Sequence, residues 1–195
     1  MGLMSTLGLA LGASWASGVR LYAAVATLGL LGRFAGLDLP GELAVLETPW
    51  VIGLATVLLV VEFVADKVPL VDSTWDAIHT FIRIPAGAAI AALAFGDYDP
   101  QWQAAAVLLG GGAALSAHGT KAATRLAVNT SPEPVSNVIV STTEDGLAIG
   151  AILLAVFLPL VALVLVGLAM GVSVWLFPRI VRAVRRLFVR NKESA

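Results

Sequence analysis

The 195-residue sequence contains no cysteine. Disulfides, thiolate metal centres and thiol nucleophiles are therefore excluded. The compartment stays open, because a chain held in a bilayer needs no disulfide. Charge is also scarce. Only 13% of residues are charged, where a soluble domain carries about a quarter. The net charge of −1 gives no field for nucleic acid, and no basic patch is interleaved with base-stacking aromatics. A basic start is missing too, since the first positive charge is Arg20. Residues 1–13 lack the charged start of a secretory signal and are expected to stay as part of the first span.

What is abundant is apolar. Hydrophobic residues make up 58% of the chain and the mean hydropathy is +0.91, which places it in the membrane class as one domain. A span needs about 20 apolar residues, and six segments qualify: 3–31, 50–65, 74–95, 102–128, 137–158 and 160–177. The uncharged stretch 146–178 would be about 50 Å long as one helix, too long for one span. Pro159 lacks an N–H and clashes with the preceding turn, so a tight hairpin is expected there.

Orientation follows lysine and arginine near span ends. Arg179, Arg182, Arg185, Arg186, Arg190 and Lys192 crowd the last stretch and place the C-terminus in the cytoplasm. Six spans then bring the N-terminus to the same side. Asp38, Glu42 and Glu47 fall outside with Asp97 and Asp99, while Lys67 and Arg125 fall at inner ends. Trp50, Trp102, Trp75 and Trp175 fit the aromatic belts at the two interfaces. The expected fold is all-α: a polytopic bundle of about six transmembrane helices (1–178) with a basic cytoplasmic tail (179–195). Its expected location is a bacterial inner membrane. Ser17-Gly18-Val19-Arg20 echoes His118-Gly119-Thr120-Lys121, which suggests a 3+3 inverted repeat of the kind found in transporters. Gly18 follows two serines within an apolar helix, so Ser17 and Gly18 are the expected helix break.

An ionisable group inside a span costs roughly 2.5–3.5 kcal/mol on insertion scales. Residues three, four or seven apart share a helix face, and the polar residues follow that spacing. Asp72, Asp76, His79 and Arg83 form one stripe. Glu62 with Asp66 forms a second, and His118, Lys121 and Arg125 a third. Asn137, Ser141 and Glu144, with Asp145 beside them, form the fourth, and Ser17 with Arg20 marks the first span. Turning these stripes toward one another lets charges pair and leaves lipid facing apolar surface. Glu62 and Glu144 lie deepest among the acids and are the favoured proton-coupling carboxylates. His79 and His118 suit proton relay, since an unperturbed imidazole titrates near 6.5. The plain alternative is an ion-pair network that only ties the bundle together. Glu62, Asp66, Asp72 and Asp76 are the metal candidates, and no cofactor is expected.

These elements resemble an uncharacterised membrane family, domain of unknown function 4126. Ser17-Gly18-Val19-Arg20 is similar to its early S-G-x-R element. Glu62 to Pro69 with Asp72 and Asp76 resembles its central E-x-x-A-x-x-x-P-x-x-D-x-x-x-D element. Asn137, Ser141 and Glu144 resemble its late G-N-P-x-x-S-x-x-E element, with Ser136 and Val138 in place of the Gly and Pro. The resemblance implies no activity.

The functional expectation is a small transporter or channel for an inorganic ion or small polar solute, proton-coupled through its carboxylates, and not an enzyme. Its partners are the bilayer and the solute, not nucleic acid, and a homo-oligomer is allowed. Asp72-Ser-Thr-Trp-Asp76 also has the D-x-x-x-D form that holds magnesium on a diphosphate, which keeps a lipid-phosphate enzyme as the alternative beside a structural assembly factor.

Overall fold

The structure is a computed structural model that describes residues 1–66, 69–128 and 134–193. The side chains of 69, 70, 72, 73, 126–128, 134, 135, 137, 176–178 and 180–193 lie outside that description. The described residues form helices and no strand: α1 (Leu3–Ala35), a 3-10 helix (Gly41–Glu47), α2 (Pro49–Ala65), α3 (Pro69–Ala94), α4 (Pro100–Val128), α5 (Pro134–Phe157) and α6 (Pro159–Glu193). Every helix from α2 to α6 opens on proline. Its fixed φ suits a first turn, where an N–H would have no helical partner.

Helix α1 is not one rod. Arg20 takes extended values, φ −146° and ψ 92°, between helical arms 3–19 and 21–35. The neighbours of the two arms show that the chain reverses there. In the first arm, Thr6 Oγ1 lies 3.3 Å from the Tyr98 hydroxyl. In the second, Gly29 rests on the backbone of Leu46. Gly41, at the start of the same 3-10 helix, rests on the carbonyls of Leu93 and Ala94, just before Tyr98. A straight helix would hold residues 6 and 29 about 35 Å apart, far beyond the reach of two 3-10 turns. Both outer ends of α1 therefore lie together, and Arg20 is the apex of a helical hairpin.

The other helices alternate in direction around it. Ser14 Oγ donates to the Gly87 carbonyl at 2.7 Å and Tyr22 meets His79, so α3 runs against the first arm. Gly12 abuts Ala155 and Ala162, while Arg20 reaches Ser141. Thus α5 runs against the first arm and α6 returns along it. Leu158 alone separates α5 from α6, and the hairpin expected at Pro159 is present. One end of the bundle gathers the loops that hold Asp38, Glu42, Glu47, Asp97 and Asp99; we term it the acidic end.

Several sequence expectations change. Gly18 packs on the Ala114 backbone and Gly110 beside Ser14, so α4 runs alongside the first arm in the same direction. An inverted repeat pairing 17–20 with 118–121 needs these helices to oppose each other, and they do not. The reversal at Arg20 also places residue 3 at the acidic end, from which α6 departs. Residue 3 and the start of α6 therefore share one end, and α6 runs away from it, whereas six full crossings required α6 to run back toward the end that holds residue 3. Helix α6 continues through Pro178 to Glu193, so the first residues of the expected basic tail are helical. The loop 36–49, expected to lie outside, is partly folded. Leu43 and Leu46, three residues apart on the three-residue turn of a 3-10 helix, are both buried.

Among the described residues, two helical stretches are long and apolar enough by themselves to cross a membrane, Thr74–Ala94 and Val138–Phe157. A third counts if Gly41–Glu47 and Pro49–Ala65, bent by 69°, make one span. The distribution of residue types is inverted relative to a soluble protein. Exposed positions include Leu54, Val57, Phe81, Leu108, Leu168 and Val174, whereas Arg20, Glu62, Asp66 and Arg83 have no exposed surface at all. Small residues make this closeness achievable. Gly87 and Gly110 face each other's helices, where an added Cβ would strike Ala114 or Ala91, the small-residue packing typical of helices in lipid.

Candidate functional site: a closed ring of ion pairs

The helix reversal places Arg20 among four carboxylates. Its guanidinium contacts Asp66 most closely and lies 3.0 Å from Asp145, 3.6 Å from Glu144 and 3.8 Å from Glu62. From Glu62 the chain of charges continues. Arg83 pairs tightly with Glu62 and reaches Asp76 at 2.8 Å. Lys121 lies 3.0 Å from Asp76 and 3.6 Å from Glu144. Arg125 grips Glu144 through two hydrogen bonds, 3.0 Å and 2.7 Å, and lies 3.5 Å from Asp66. Asp66 returns to Arg20. Acid and base thus alternate around a closed ring, Arg20–Glu62–Arg83–Asp76–Lys121–Glu144–Arg125–Asp66, with members from α1 to α5 and from the residue that caps α2. Ser141 braces it, accepting from Arg20 Nη2 at 2.8 Å and donating to Asp66 at 3.5 Å.

The histidines border the ring. His79 Nδ1 faces the Trp75 carbonyl at 2.8 Å, an acceptor only, so Nδ1 carries a proton, and Nε2 lies 3.0 Å from the Tyr22 hydroxyl. Thr80 gives its hydroxyl proton to the Asp76 carbonyl, so at 2.7 Å it accepts from His118 Nε2. His118 Nδ1 is then left to accept from Arg83 at 3.3 Å. Satisfaction of the acids is incomplete, however. One oxygen on each of Glu62, Asp66 and Asp76 is buried and has no hydrogen-bond partner, leaving a proton acceptor on three ring members.

The structure brings together Arg20, Glu62, Asp66, Asp76, Arg83, Lys121, Ser141, Glu144 and Asp145, with His79 and His118 alongside. Asp72 and Asn137 lie on helices α3 and α5, but their side chains are outside the described residues, as is Lys67 altogether. The helix break is not at Ser17 or Gly18. Ser17 Oγ bonds back to the Ser14 carbonyl at 2.7 Å, which keeps it helical, and Gly18 exists for its contact with Ala114. The chain leaves the helix at Arg20, where the guanidinium finds its carboxylates. Arg125, readable as an interfacial anchor, is buried in the ring; its spacing from Lys121 was the signal. Tyr22 and Thr80 carry no charge and gave none. Among the described residues no group of three or more His, Cys, Asp or Glu side chains is placed to hold a metal ion, and Glu62, Asp66 and Asp76 instead hold cationic side chains.

The fold and site define an all-helical bundle with helices apolar enough to cross a membrane and a closed charge network in its interior. A family model described as a domain of unknown function (DUF4126) matches residues 7–179, and the chain belongs to that family. No curated protein and no solved structure matches it.

Proposed function

We propose that this protein is a small integral membrane transporter or channel, moving an ion or small polar solute and coupled to protons through the ring carboxylates. Helices α2 to α6 would cross the bilayer. Helix α1 would enter from the acidic side and turn back at Arg20. By the positive-inside rule the arginines of α6 would lie in the cytoplasm, with residue 3 on the other side. The observation that carries the reading is Arg20, the apex of a re-entrant hairpin, facing four carboxylates. A proton on one of them weakens a link of the ring and frees the apex to move, so the ring is suited to switch between two arrangements.

A second reading, a purely structural tie, is favoured by the closure of the ring itself, in which every charge has a partner. Against a metal–diphosphate enzyme stands Asp76, whose Oδ1 is already taken by Arg83 and Lys121. Purified protein in liposomes separates the first two. Glu62→Gln or Glu144→Gln keeps volume and hydrogen bonding but cannot carry a proton. Transport predicts loss of pH-gradient-driven uptake in a variant that still folds, whatever its melting temperature. Absence of flux for any solute in the wild type, together with early melting of the variants, would favour the structural tie.

A further inference from the structure

Helix α6 is longer than a bilayer core is thick. Its 35 residues make a rod of about 52 Å, against about 30 Å of hydrocarbon. The apolar stretch Pro159–Trp175 follows the first arm of α1. Pro159 lies against Gly8, and Met170 and Trp15 both pack on the cluster of Leu11, Ala113 and Val166. That arm ends at Arg20, so α6 passes the apex near Trp175, and the residues after it have no first arm to rest on. Trp175 is exposed. The Arg179 guanidinium lies 3.4 Å from its ring centre, and Arg179 Nη1 donates to its carbonyl at 2.8 Å. An indole and a cation at one level suit the headgroup region.

Beyond Pro178 the helix changes character. From 179 to 193 the sequence holds five arginines and one lysine against a single acid, Glu193. Steps of three, four and four carry Arg179, Arg182, Arg186 and Arg190 along one face, with Val181, Val184 and Phe188 along the opposite one. Held straight out in water, this helix would leave its apolar face uncovered. We infer that residues 179–190 dock on the anionic phospholipid headgroups of the leaflet where α6 emerges. The arginine face meets the phosphates and the apolar face enters the acyl boundary. A cluster of about four to eight cations just past a span is drawn to such a surface. Pro178 allows the bend, since it lacks the N–H that would bond the Val174 carbonyl. RNA also offers phosphates, but nothing to cover Val181, Val184 and Phe188. The inference rests on the membrane placement of the proposed function and not on transport.

The absence of cysteine permits a single label. Val184→Cys carries a fluorophore on the full chain, in nanodiscs of phosphatidylcholine alone or with phosphatidylglycerol added. With phosphatidylglycerol the label is expected to be shielded from acrylamide and quenched by nitroxide-bearing lipid. High salt should reverse this. Arg182→Gln, Arg186→Gln and Arg190→Gln together should lower the ratio of docked to free helix by about tenfold or more. They touch no ring member, so an unchanged melting temperature separates lost docking from lost folding. Equal shielding in both lipid compositions, or shielding that survives the triple variant, would overturn the inference. Shielding that appears only when an RNA oligonucleotide is added would overturn it too and assign the face to nucleic acid. Failure of the chain to enter nanodiscs removes the membrane placement and this inference together, whereas entry with an unshielded label removes the inference alone.

Discussion

Arg20 and Asp66 meet where two helices end. Arg20 stands at the reversal of α1, and Asp66 caps α2, its N–H bonded to the Glu62 carbonyl. Both are wholly buried. The guanidinium thus lies at the carboxyl ends of two helical segments, arm 3–19 and α2, where helix dipoles favour a cation. The geometry explains why the chain turns at an arginine rather than a glycine: the turn aims five donors into a carboxylate cluster.

Arg20→Gln is expected to destabilise the protein by about 3–5 kcal/mol, the usual result of removing one partner from a buried ion network. Arg20→Lys should recover only part of it, since an ammonium lacks the planar fork that serves several carboxylates together. Denaturation of detergent-solubilised protein measures both. An Arg20→Gln variant as stable as the wild type would show that the apex is not held by its charge.

Much of the site is legible in the sequence because buried charge obeys a simple constraint. Asp76, His79 and Arg83 recur at helical spacing, and a charge in an apolar helix must face another charge or water. The same logic brings in Glu62, Lys121 and Glu144. The reversal at Arg20 is only half legible, since residues 3–31 read as one span with a break near Ser17 and Gly18 while no proline or polar loop marks a turn back; contacts made by Gly29 and Thr6 with distant elements decide it. The span count, the repeat and the shared side of the termini all follow from reading that run as one rod. The prolines at 49, 69, 100, 134 and 159 were a clearer guide than hydropathy to where helices begin.

Small residues at crossing points should respond unequally. A Cβ on Gly18 meets the Ala114 backbone, which cannot step aside, whereas one on Gly111 meets only the Ala88 methyl at 3.5 Å. Gly18→Ala should cost about 1–3 kcal/mol, the range for overpacking. Gly111→Ala should be neutral or slightly stabilising, because alanine favours the helix. Melting temperatures of the two variants, run side by side, test the contrast; similar losses at both positions would mean that helix propensity rather than packing governs this crossing.

Arg125 and Glu144 form the two-pronged link of the ring, and their energies should not add. Arg125→Gln and Glu144→Gln each strand a buried charge, while the double variant strands none between them. The double variant should therefore be less destabilised than the sum of the singles, by about 1–3 kcal/mol. Coupling should also extend to Lys121, 3.6 Å from the same carboxylate, but fade at Arg33, which bonds the Glu47 carbonyl at the acidic end. Additive losses at Arg125 and Glu144 would contradict a connected ring.

The reversal of α1 makes a topological claim that labelling can decide, and the absence of cysteine removes background. Single cysteines at Gly2 and Glu42 should react with an impermeant reagent from the same side of intact cells, because residue 3 and the 3-10 helix both belong to the acidic end. A reporter fused after Ala195 should sit on the opposite side, since α6 runs away from that end. If α1 crossed the bilayer as one rod, Gly2 and Glu42 would react from opposite sides. The two outcomes differ in a single comparison, independent of any transport assay. Reaction at Glu42 with protection at Gly2 in intact cells, and reaction at both after permeabilisation, would return α1 to a full span and remove the apex on which the proposed switch depends.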